Sequence, residues 1–179
     1  MCSKYSALIG IFILAFQIVQ ITSLAELTNL KCNSLDETFA AIEYCRIKSV
    51  NRTYKYFSVK VGLFKIPISN VTINLAAFQR LNGYKPFLYN ITFDACKYLA
   101  STNKNPIVKY FHEFIIPYTN LNHTCPYNHD MIVEKVPIDF INNRLTQVLP
   151  FPLGDYALHT DMYYHGINRL KFKIYLSLK

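Results

Sequence analysis

Large apolar and polar side chains alternate with period two along most of this chain, and that pattern limits the fold more than any other feature. Over residues 54–64, Phe57, Val59, Val61 and Leu63 fall on one face, and Tyr56, Ser58, Lys60 and Gly62 on the other. In the next segment Val71, Ile73, Leu75 and Ala77 oppose Asn70, Thr72 and Asn74. After Asn82-Gly83, a strong turn signal, Lys85, Phe87, Tyr89, Ile91 and Phe93 oppose Leu88, Asn90, Thr92 and Asp94. Near the C-terminus Leu170, Phe172, Ile174, Leu176 and Leu178 oppose Arg169, Lys171, Lys173 and Tyr175. Alternation of this kind marks strands that bury one face. Residues 131–136, 145–149 and 156–164 are further strand candidates, with shorter ones at 27–31 and 42–50.

The period changes once, in the middle of the chain. Asn105-Pro106 reads as an N-cap followed by a first-turn proline. Ile107, Val108, Phe111, Phe114 and Ile115 then recur at helical spacing until Pro117 ends the run. A shorter helical turn is predicted over residues 95–99 and a loop over 120–128. The chain therefore reads as mainly β: an antiparallel β-sandwich or β-cup of about eight strands, with a short helical insertion at about 95–118.

The first 25 residues read as a secretory signal peptide. Lys4 supplies the positive start, residues 7–21 are uncharged and mostly apolar, and Ser23-Leu24-Ala25 places small residues three and one before a cut ahead of Glu26. The alternative is a membrane anchor, but the run is shorter than the roughly 20 apolar residues a spanning helix needs. Residues 26–179 remain as one domain by size. Secretion to the extracellular space is the expectation, with no span in the mature chain.

Removal of the leader takes Cys2 with it and leaves Cys32, Cys45, Cys96 and Cys125. An even set in an oxidising compartment reads as two disulfides, and four cysteines allow three connectivities. Sequence-local pairing, Cys32–Cys45 and Cys96–Cys125, is the expectation, although spacing alone does not fix it. The cysteine spacings do not make a metal knuckle, and His123-x-Cys125-x3-His129 is a poor zinc site outside the cell. Asn51-Arg52-Thr53, Asn70-Val71-Thr72, Asn90-Ile91-Thr92 and Asn122-His123-Thr124 are N-glycosylation sequons. Asn70 and Asn90 lie on the polar faces of their alternating segments, where a glycan belongs.

The formal net charge is +8, with lysines and arginines spread along the chain. No stripe for nucleic acid stands out. Catalytic motifs are missing too. The sequence has no Gly-x-Ser-x-Gly elbow and no His-Glu-x-x-His, and disulfide formation leaves no cysteine spare. His112, His123, His129, His159 and His165 sit in polar or loop contexts. A binding protein without cofactor is expected rather than an enzyme.

The chain has 14 Tyr and 13 Phe but no Trp. Strands favour aromatic residues, and protein interiors are normally close-packed, so a filled core accounts for this excess. The competing reading is an apolar cavity lined by Phe57, Val61, Phe87, Tyr89, Phe93 and Phe172 and lidded by the helix that carries Phe111 and Phe114. In that reading the Tyr89 hydroxyl meets a polar head near the mouth.

Several motifs carry a resemblance. They are Asn29-Leu30-Lys31-Cys32, the run Glu43-Tyr44-Cys45-Arg46-Ile47-Lys48-Ser49-Val50-Asn51-Arg52, and Leu81-Asn82-Gly83-Tyr84-Lys85-Pro86-Phe87-Leu88-Tyr89. Asp94-Ala95-Cys96, His123-Thr124-Cys125-Pro126 and Pro152-x-Gly154-Asp155-Tyr156 complete the set. With these the chain resembles a large group of small secreted fly proteins filed as a domain of unknown function. That group is similar to chemosensory proteins and, more distantly, to the ML (lipid-recognition) proteins and the ganglioside activator. The resemblance implies a β-sandwich or cup with a lipid-sized cavity, and a carrier of lipids or hydrophobic semiochemicals, with a role in chemosensation. The alternative is a secreted interaction module or receptor accessory subunit with a filled core, whose partner is a cell-surface receptor.

Overall fold

The alternating segments fold as strands. The computed structural model describes residues 24–51, 54–145 and 151–179. Within them β1 (Ala25–Ser34), β2 (Ala40–Ser49), β3 (Lys55–Leu63), β4 (Thr72–Leu81) and β5 (Gly83–Asp94) precede the helical insertion. That insertion holds α1 (Ala95–Ala100), α2 (Pro106–His112) and a 3-10 turn, Ile116–Tyr118. β6 (Met131–Pro137), α3 (Ile138–Asn143), β7 (Gly154–Tyr164) and β8 (Ile167–Leu178) follow. The expected leader falls almost wholly outside the described residues. Ala25, its expected last residue, opens β1 and is buried.

The strands form two antiparallel sheets. Five strands lie in the order β1-β8-β7-β4-β5, and three in the order β2-β3-β6. Phe57, Val59, Val61 and Leu63 of β3 are all buried, as are Val71, just before β4, and Leu75 and Ala77 within it. The Asn82-Gly83 signal becomes a tight hairpin in which Leu81 pairs with Gly83, whose φ of +91° suits a glycine. A second tight turn, His165-Gly166, joins β7 to β8; both residues have positive φ, as a primed hairpin turn requires.

Both disulfides tie parts of one sheet to parts of the other. Cys32 of β1 is bonded to Cys45 of β2, with 6.1 Å between their Cα atoms. Cys96, at the start of α1 directly after β5, is bonded to Cys125 in the loop that leads to β6, with 5.4 Å between Cα atoms. On one side, then, the sheets are joined strand to strand. On the other they are joined through the helical insertion.

Local capping explains the helices. The Asn105 side chain accepts hydrogen bonds from the backbone N–H groups of Ile107 (3.0 Å) and Val108 (3.2 Å), with Pro106 in the first turn. Asp94 does the same for α1 by accepting from the Lys97 N–H at 3.0 Å. The helix α3 has no counterpart in the alternation pattern. Pro137 closes β6, and the six residues Ile138–Asn143 are too few to show a helical period. Of the strand candidate at 145–149, Leu145 lies in a helical turn following α3; residues 146–149 lie outside the described set.

Ser58 is the one polar residue buried in the middle of the small sheet, with no exposed surface. The β3–β6 register explains it. Phe57 pairs with Val136 and Val59 with Val133, so Glu134 and Lys135 together face Ser58. This bulge turns Lys135 to a φ of +53°. The Lys135 N–H donates to Ser58 Oγ at 2.9 Å, and the Ser58 hydroxyl donates to Glu134 at 3.3 Å. Replacing Ser58 with Ala strands the Lys135 N–H in the interior. Urea denaturation of Ser58→Ala is expected to show a loss of about 1–3 kcal/mol with the slope unchanged.

Candidate ligand cavity

The interior between the sheets is open, with a cavity of about 340 Å³. Its walls follow the alternation. Phe57, Val59, Val61 and Leu63 of β3 form one side. Ile73, Leu75 and Ala77 of β4 and the even-numbered residues Leu170 to Leu178 of β8 form the other, apart from the polar members noted below. Leu158, Thr160 and Met162 of β7 complete that wall. Val108, Phe111, His112, Phe114 and Ile115 close the side toward the helical insertion.

Of the eight residues expected in the wall, Phe57, Val61, Phe93, Phe111, Phe114 and Phe172 are there, and Phe87 and Tyr89 are not. The two exceptions lie at a bulge. Ala76 pairs with Asn90 and Phe78 with Pro86, so Phe87, Leu88 and Tyr89 together face Ala77, and Leu88 takes a φ of +56°. Two extra residues leave the parity unchanged, so the alternation holds through this stretch: Phe87, Tyr89, Ile91 and Phe93 are half-buried, and Leu88, Asn90 and Thr92 are exposed. Phe87 packs behind the wall, its ring 5.4 Å from that of Tyr156 and 6.1 Å from that of Phe151. Tyr89 meets Phe111 edge-on at 6.3 Å.

The helical lid is fastened at both ends. The Tyr110 hydroxyl donates to the Arg144 carbonyl at 3.1 Å, and the Arg144 guanidinium is paired with Glu113 at 2.5 Å. These contacts hold the end of α2 to the segment following α3. Burial pushes the Tyr110 hydroxyl up to about 12, so it stays protonated and donates. On the other flank Thr119 bridges to Val133 of β6, and the Thr119 hydroxyl donates to the Ile132 carbonyl at 2.8 Å.

Besides Thr160 and several tyrosines, two polar features interrupt the apolar lining. The first is Tyr98 with His112. The Tyr98 hydroxyl lies 3.2 Å from His112 Nδ1, and both residues line the cavity. Sequence placed His112 in a polar context; the structure puts it on the inner side of α2, half-buried. The spacing of fourteen residues between the two carries no motif that a sequence reading could use. Burial holds the His112 imidazole below its ordinary pKa of 6.5, the Lys104 cation acts in the same direction, and Glu113 opposes it. The second is Arg169, to which alternation assigned the solvent face.

The other histidines lie elsewhere. His123 and His129 face each other with their Nε2 atoms 2.8 Å apart, beside Cys125, whose sulfur is committed to a disulfide. His159 stacks on Phe78 on the outer face of the large sheet, with ring centroids 4.4 Å apart. His165 is exposed in the β7–β8 turn. Among the described residues no group of three or more His, Cys, Asp or Glu is placed to hold a metal ion. The sequon residues Asn51, Asn70, Asn90 and Asn122 are all exposed.

Residues 73–158 match the family model described as protein of unknown function (DUF1091). The match runs from β4 through the helical insertion to the middle of β7. It therefore contains the lid, the Cys96–Cys125 bond and half of the cavity wall. No curated protein matches the chain. The family match does not extend to chemosensory or ML proteins.

A depressed histidine pKa makes stability depend on pH. The unfolded chain takes up the His112 proton near 6.5, and the folded chain only at lower pH. Stability is therefore full above that value and declines as pH falls below it. His159, also lowered by burial and by Lys173, acts in the same direction. Melting curves between about pH 7 and pH 5 should show a falling midpoint, and His112→Gln should flatten part of that fall.

Proposed function

We propose that this chain is a secreted glycoprotein that carries one long-chain apolar or amphipathic molecule between its sheets. The observation that carries this reading is the cavity of about 340 Å³ behind an almost wholly apolar wall. Its volume lies within the range of small-molecule pockets, roughly 300–1,000 Å³. Close packing is the rule in protein interiors, so an opening of this size lined by leucine, valine and phenylalanine calls for an occupant. Each Å² of ligand surface taken from water contributes about 25 cal/mol before ordering costs.

The remaining features are consistent with that reading. Two disulfides fit an oxidising, extracellular setting. Among the described residues no helix is long and apolar enough to cross a membrane. Four exposed sequon asparagines are ready acceptors for glycans, and their outward positions leave the cavity clear. The resemblance to chemosensory and lipid-recognition proteins suggests a hydrophobic semiochemical or lipid as cargo. Binding rather than catalysis is the activity proposed, on the apolar character of the wall.

A second reading rests on the end of the sandwich that holds the β1–β2, β3–β4 and β7–β8 connections. Leu35, Phe64, Ile66 and Ile167 stand there 50, 61, 49 and 54% exposed. Apolar loop tips clustered in this way suit a receptor contact, and carriage and docking can coexist.

Displacement of a fluorescent fatty-acid analogue tests the carrier reading. Wild-type protein should bind one equivalent of probe. Ala77→Phe, which fills the cavity from the β4 wall, should weaken binding by at least about tenfold while the melting temperature holds, because the added ring enters open space rather than a packed core. Phe111→Ala and Phe114→Ala on the lid should weaken it less. Wild-type protein that binds no probe overturns the carrier reading in favour of the interaction module.

A further inference from the structure

Among the described residues, Arg169 is the one permanently charged side chain in the cavity wall. Simple alternation along β8 puts it outside, with Lys171 and Lys173. The β7–β8 register shows why it turns in. Met162 pairs with Leu170 and Tyr163 with Asn168, so Arg169 is an extra residue without a partner on β7. A bulge re-aims the side chain it carries, and this one brings a guanidinium to the cavity edge.

Its surroundings are specific. Arg169 Nη1 is paired with the Asp36 carboxylate, and the guanidinium lies 5.4 Å from the centre of the Phe39 ring. Asp36 is itself held by the Thr38 N–H at 3.0 Å and the Thr38 hydroxyl at 2.6 Å. The Arg169 carbonyl accepts from the Leu35 N–H at 2.8 Å. The arginine is thus fixed from three sides. The Arg169 side chain is 17% exposed and that of Asp36 20%, which puts the pair where the cavity approaches the surface. Stapling the β1–β2 turn to β8 accounts for Nη1. It does not account for Nε, which is buried and has no hydrogen-bond partner among the described residues. A buried, unpaired guanidinium N–H is costly, and one beside a cavity is available to whatever enters it.

We propose that Arg169 anchors the head of the cavity ligand, and that this head is the carboxylate of a long-chain carboxylic acid. The proposal rests on the carrier reading and names the class of cargo. A guanidinium offers five N–H donors in a planar fork, and Asp36 occupies only part of it. The edge that carries Nε fits the two oxygens of a carboxylate, while the chain runs on between the sheets against Leu170 and Phe172. Asp36 orients the fork and offsets its charge, so one further single negative charge is accommodated more readily than a doubly charged phosphate.

The test compares a long-chain fatty acid with its methyl ester as displacers of a fluorescent probe, near neutral pH. Wild-type protein should favour the acid by about tenfold, the scale of a charge-assisted hydrogen bond. Arg169→Gln and Arg169→Lys should lose that preference while ester binding stays within about twofold. Asp36→Asn breaks the same ion pair but leaves the guanidinium in place, and it should keep the preference. A purely structural arginine makes the Asp36 and Arg169 variants behave alike. Thermal melts of each variant identify any that fail to fold. Probe that binds but is displaced equally by acid and ester in wild-type protein overturns the anchor alone, as does a preference that survives Arg169→Gln. Failure of the probe to bind wild-type protein overturns the carrier reading and the anchor together.

Discussion

The inner face of the five-stranded sheet has to be kept from water, and the three-stranded sheet opposite is two strands too narrow to do so. Much of the architecture follows from that mismatch. On the β1–β2 side the sheets are bonded directly through Cys32–Cys45. On the β5–β6 side the gap is spanned by α1, α2 and the 3-10 turn, held by Cys96–Cys125. A lid of short helices covers a sheet less completely than strands would. Phe111 and Phe114 of this lid line the cavity that remains between the sheets.

Both disulfides close modest loops, with sequence separations of 13 and 29. In the chain-entropy model a bond of this kind stabilises by roughly 3 kcal/mol. That contribution matters more here than in a filled sandwich. A cavity forfeits the dispersion contacts that its lining would otherwise make. Cross-links that act largely on the unfolded chain offset part of that loss without filling the interior.

Much of the fold was legible because an antiparallel strand with one wet face writes its phase directly into the sequence. Phe57 to Leu63 and Leu170 to Leu178 could be assigned to the interior from alternation alone, and Asn105-Pro106 announced α2. A bulge erased the signal in β8. Phe87 and Tyr89 keep the phase of Phe93, as alternation has it, but alternation alone does not tell which of these half-buried rings reach the cavity. Arg169 was lost because its turn inward is a property of the β7–β8 register. The Tyr98–His112 contact depends on how two short helices fold back on each other. The helix α3 was too short to show a period. Strand faces could therefore be read locally, whereas the polar groups of the cavity could be found only from pairing between strands or helices.

The central claim is that the space between the sheets is a site for one guest molecule. Native mass spectrometry of the protein incubated with a long-chain fatty acid tests it most directly. The account predicts a complex of one fatty acid per chain that saturates and does not progress to higher stoichiometry. A ladder of several bound molecules with no dominant one-to-one species, or no complex at all, would contradict it.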